Sequence, residues 1–104
     1  MNSRGRAKDL NDIKMMDTRD WFVYIVECRD KKLYTGIALD VEKRISEHNK
    51  GRGCRFTRYR WPVRLLFKER CLGKSLARIR EIEIKKLSKA EKLELINKGP
   101  SAPR

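Results

Sequence analysis

Tyr24, Tyr34, Arg44 and His48 gather four chemically capable side chains into one short stretch of a 104-residue chain. Arg44 and His48, four positions apart, share one face if the segment is helical. A guanidinium offers a planar fork of donors that matches phosphate oxygens. A tyrosine, with an ordinary pKa of about 10, is a poor base unless a nearby cation or imidazole helps it lose its proton. Taken singly, the tyrosines read more readily as half-buried strand rings, and Arg44 and His48 as a solvated helix pair, than as parts of a site.

The elements that would position them are legible. Phe22 to Cys28 is rich in β-branched and aromatic residues and predicts a strand. Leu33 to Ile37 predicts a second, and the Arg-Asp-Lys-Lys between them suits a hairpin. Gly36 marks a bulge or a close approach of another group to the backbone. Asp40 is the expected N-cap of a helix whose buried stripe is Val41 and Ile45, with Arg44 and His48 beside it. Asn49 and Gly51 end that helix.

Lys50 to Trp61 reads as a basic loop with interleaved aromatics: Lys50, Arg52, Arg55, Arg58 and Arg60 among Phe56, Tyr59 and Trp61. Such a mixture suits a groove for phosphates and exposed bases, or a solvated loop with an aromatic or two tucked into the core. Val63 to Phe67 predicts a third strand. Ser75 is the expected cap of a second helix, Leu76 to Leu87, and Ser88-Lys-Ala-Glu91 is a capping box that opens a third, to about Ile96. The order β-β-α-β-α-α implies an α+β domain, a small three-stranded antiparallel sheet flanked by helices. A helical wheel sets Glu83 nearer the middle of the apolar arc than Glu81, so periodicity does not choose between these carboxylates.

Residues 1–20 hold five basic and four acidic residues and read as a flexible leader, with a short helix around Leu10 to Met16. Residues 21–97 form the domain and 98–104 a frayed tail. The whole chain carries a formal charge of +13, and with the leader nearly neutral the excess belongs to the domain. That charge predicts a polyanionic partner, most often nucleic acid. No long apolar run points to a membrane. Three cysteines without a C-x-x-C pair argue against a disulfide framework or a zinc site and suit the reducing cytoplasm.

The combination resembles the GIY-YIG nuclease family, specifically its small stand-alone bacterial members. The first signature stands as Val23-Tyr24-Ile25 and the second as Tyr34-Thr35-Gly36. Arg44-x-x-x-His48 follows, and then Glu81 within Ala77 to Leu87. Valine replaces the leading glycine of the first signature and threonine the isoleucine of the second. Lys85 and Lys86 stand where other branches carry an asparagine.

The resemblance implies phosphodiester cleavage with one divalent ion, Mg²⁺ or Mn²⁺, and no tightly bound organic cofactor. By position, Glu81 would be the metal ligand, Arg44 would hold phosphate, and Tyr24, Tyr34 and His48 would position and deprotonate the attacking water. The expected activity is that of an endonuclease on DNA, in preference to RNA, acting on branched, nicked or single-stranded forms in repair. The alternative is a basic nucleic-acid-binding protein that keeps the fold with little or no turnover.

Overall fold

The computed structural model describes residues 17–100. Three strands and three helices follow in the expected order: β1 (Asp20–Glu27), β2 (Leu33–Ala38), α1 (Val41–Asn49), β3 (Arg64–Leu72), α2 (Lys74–Lys85) and α3 (Lys89–Lys98). The sheet is antiparallel in the order β2-β1-β3, so β1 is paired on both sides. Its near-continuous apolar run reflects burial on both faces. Val23 and Ile25 face a core made with Phe67, Cys71, Ala77 and Ile84. Tyr24 and Val26 face the other side, with Cys28, Ala38, Val41 and Val63. α2 therefore covers one face, and α1 with the loop after it covers the other.

Local chemistry accounts for most boundaries. Asp40 caps α1, its carboxylate accepting from the Lys43 amide at 3.0 Å. Ser88 and Glu91 complete the capping box of α3, with reciprocal bonds of 3.1 and 2.8 Å. Two expectations are corrected. Ser75 does not cap α2: Gly73 does, at φ +108°, and the orphan amide of Lys74 is satisfied by the Asp17 carbonyl at 3.1 Å. β3 begins at Arg64 and continues past Phe67 to Leu72, with Glu69 and Cys71 buried on the inward face. The short helix expected around Leu10 to Met16 lies outside the described residues.

Glu69 also ties α2 to the sheet. Its side chain is fully buried, and the Arg80 guanidinium of α2 meets it at 2.9 Å while reaching Glu83 at 3.0 Å. This bridge fixes which face of α2 turns inward. Ala77, Glu81 and Ile84 are buried, one above another at helical spacing.

Candidate active site

Tyr24 sits on the central strand and is almost wholly buried. Its ring passes over the cross-strand residue Gly36, where a Cβ would come within 2.6 Å of the hydroxyl. A glycine at position 36 leaves room for that approach. The hydroxyl then meets Nε2 of His48 at 2.9 Å. On the far side of the imidazole, Nδ1 lies 2.6 Å from the Thr57 hydroxyl, which in turn reaches the Cys54 carbonyl at 3.4 Å. The polar groups can be satisfied in one direction along the row. Thr57 donates to Cys54, Nδ1–H donates to Thr57, and Tyr24 donates to Nε2. That leaves the Tyr24 oxygen an acceptor on its other side, where the Arg44 guanidinium is within hydrogen-bond reach of it.

Burial sets the protonation states. His48 is fully enclosed, which together with the Arg44 charge lowers its pKa to about 4, so the ring is neutral near pH 7. Burial raises Tyr24 to about 12, against the opposing influence of Arg44. Tyr34 is likewise raised, first by burial and then by its contact with Cys54. Burial also pushes the Cys54 thiol up, but hydrogen bonds from Thr57 and Tyr34 outweigh it and leave the thiol below its usual range.

The remaining groups surround this row. The Tyr34 ring stacks on Phe56 at 5.6 Å and meets His48 edge-on at 5.5 Å. Arg44 projects from α1, with Glu47 beside it at 3.1 Å. Glu81 comes from α2 with only 6% of its surface exposed, and its charge acts on Tyr24. Its two oxygens meet Lys85 at 3.1 Å and Arg78 at 3.5 Å. The helical wheel misleads at this point. It counts Ile79 and Ile82 as core, yet they are 52% and 47% exposed. With those two and Leu76 turned outward, the inward arc moves onto Ala77, Glu81 and Ile84.

The basic loop divides by role. Arg52, Arg55 and Arg58 line an open cleft of about 400 Å³ with Gly51 and Cys54. Lys50 is exposed on the same segment, and Tyr59, 77% exposed, lies under the Arg58 guanidinium. Arg60 turns the other way. It bonds Asp30 at 3.0 Å and the Phe56 carbonyl at 2.7 Å and lies over the Phe56 ring, fastening the loop to the β1–β2 turn.

Thr57 and Gly53 are the contributors that sequence reasoning missed. A Cβ on Gly53 would overlap the His48 ring, so this glycine backs the imidazole as Gly36 accommodates the tyrosine. Among the described residues no group of three or more His, Cys, Asp or Glu could hold a metal ion. Nor is any helix among them long and apolar enough to cross a membrane.

A family model described as the GIY-YIG catalytic domain matches residues 20–94. The chain belongs to the GIY-YIG family. That membership makes it one of a family of nucleases. The UPF0213 protein SSP2268 of Staphylococcus saprophyticus is 50% identical over 78 residues, which cover 75% of this chain and 95% of that relative. The UPF0213 protein DP2720 of Desulfotalea psychrophila is 48% identical over 90 residues, 83% of this chain and 82% of that one. Among solved structures, the solution NMR structure of the UPF0213 protein BH0048 from Bacillus halodurans is similar. It is 40% identical, covers 75% of this chain and 83% of its own, and superposes with a TM-score of 0.49.

Proposed function

We propose that this GIY-YIG protein is a divalent-metal-assisted endonuclease that hydrolyses phosphodiester bonds in DNA, acting on branched, nicked or single-stranded forms. The observation that carries this reading is the row Tyr24–His48–Thr57, with Arg44 in hydrogen-bond reach of Tyr24 and the charge of Glu81 acting on it. In-line attack on a phosphodiester needs a proton acceptor for water and positive charge near the non-bridging oxygens. Tyr24 accepts the water proton as it passes its own to neutral His48, which Thr57 holds in the tautomer able to receive it. Arg44 binds the phosphate. Tyr34, packed between Phe56 and His48, orients the water from the other side.

The donors fit a hard cation. Glu81 is a carboxylate with only 6% of its surface exposed, and carboxylate oxygen is the ligand atom that Mg²⁺ and Mn²⁺ prefer. One protein carboxylate suffices where waters and substrate phosphate complete the shell. When bound there, the ion supplies charge neutralisation to the leaving and non-bridging oxygens. Lys50, Arg52, Arg55 and Arg58 hold the backbone outside the cleavage point, and Tyr59 offers a stacking face to an unpaired base. Arg60 supports that surface from behind.

A second reading, a basic nucleic-acid-binding protein with little turnover, draws on the two cations that already neutralise Glu81. A cleavage panel separates the two. Linear, nicked, flapped, forked and single-stranded DNA, with RNA counterparts, are incubated with Mg²⁺ or Mn²⁺. The nuclease reading expects metal-dependent products from DNA that vanish in Glu81→Ala and Arg44→Ala while binding persists. Equal cutting by both folded variants refutes the assignment of these residues. Salt-sensitive binding without product on any substrate supports the second reading.

A further inference from the structure

Glu81 does not face the site as a bare carboxylate. Lys85, one helical turn on, brings its ammonium to 3.1 Å from one Glu81 oxygen and lies 5.9 Å from the centre of the Tyr34 ring. It therefore lies near both the carboxylate of α2 and the tyrosine of β2. Arg78 meets the other oxygen at a longer 3.5 Å and is the more exposed of the two cations. Lys85 is half exposed on a flexible four-carbon stem, so swinging it aside costs little, whereas Glu81 is held within the fold.

Resting on the metal-assisted reading, we propose that Lys85 is a built-in counter-ion that competes with the divalent ion for Glu81. Without metal, the ammonium balances a carboxylate that is otherwise largely shielded from water. Glu81 would hold a divalent ion with that same oxygen, and Lys85 would then move aside, because two like charges cannot share one carboxylate edge without repulsion. The displaced ammonium, still beside Tyr34, is then free for a phosphate oxygen of the bound strand. Metal and nucleic acid thereby help one another to bind, each favouring the arrangement in which Lys85 has left Glu81.

Direct Mn²⁺ binding tests this without reference to turnover. Free Mn²⁺ is followed by electron paramagnetic resonance during titration of the wild type, Lys85→Met, Lys85→Arg and Glu81→Gln. Lys85→Met should bind Mn²⁺ about three- to tenfold more tightly, the range expected on removing one nearby charge from a salt-screened, partly exposed site. Lys85→Arg keeps the charge and should bind within about twofold of the wild type. Unchanged or weaker binding in Lys85→Met, with Glu81-dependent binding intact in the wild type, overturns the competition alone. Absence of any Glu81-dependent Mn²⁺ binding overturns the metal-assisted reading and this inference together.

Discussion

The Thr57 hydroxyl closes on Nδ1 of His48 at 2.6 Å, on the opposite edge of the ring from Tyr24. A loop residue is thus placed to set which ring nitrogen carries the proton. Thr57→Val keeps the shape and removes the acceptor. Cleavage should fall about 10- to 100-fold, part of the usual contribution of general acid–base catalysis. Thr57→Ser should restore most of it, and DNA affinity should change little in either variant. Wild-type cleavage by a folded Thr57→Val would show that Thr57 does not set the tautomer.

His48 should also make stability depend on pH. Its pKa falls from 6.5 to about 4 on folding, so between these values the unfolded chain binds the extra proton. The stabilisation is complete above pH 6.5 and drains away as the pH falls towards 4. From pH 7 to pH 5 the loss attributable to this ring is about 2 kcal/mol. Arg44 and Glu47 are the charged neighbours that act on it, and neither offers its ring nitrogens an acceptor. Urea unfolding at the two pH values, compared with a His48→Gln variant, checks this. Equal pH slopes in both proteins would refute it.

Much of this arrangement was readable beforehand because it follows from local rules. The β-branched and aromatic run of β1, the caps at Asp40 and Ser88, and the spacing of Arg44 and His48 depend on neighbours in the chain. What escaped depends on partners far away. Lys68-Glu69-Arg70 looks like the end of a strand until Arg80 arrives from α2 to neutralise Glu69. Glu81 could not be preferred over Glu83 while Ile79 and Ile82 were counted as core. Thr57 and Gly53 carry no signal in a run of arginines and gain their meaning when the loop folds back on His48.

The Glu69–Arg80 pair gives a prediction about α2. Arg80→Met leaves the Glu69 carboxylate buried without its guanidinium and should cost about 3–5 kcal/mol, the usual penalty for breaking a buried pair from one side. The double variant Glu69→Met with Arg80→Met removes both charges and should recover most of that loss. Chemical denaturation of the single and double variants decides it. A double variant no more stable than Arg80→Met would mean that the bridge does more than balance charge.

The arginines of the loop should separate in solution as they do in the fold. Arg52, Arg55 and Arg58 line the open cleft, whereas Arg60 is engaged with Asp30, the Phe56 carbonyl and the Phe56 ring. If the first three contact phosphates, replacing each with alanine removes one released counterion. The slope of log affinity against log salt should then shrink by about 0.7 to 0.9 per residue, single strands giving the lower figure. Arg60→Ala should leave that slope nearly unchanged and instead lower the unfolding midpoint, because it unfastens the loop from the β1–β2 turn. It should also reduce cleavage, since the same loop carries Thr57. Salt-dependent binding to a labelled oligonucleotide, run beside thermal unfolding, tests both halves. A full one-charge change in slope for a fully folded Arg60→Ala would place that guanidinium on the nucleic acid instead.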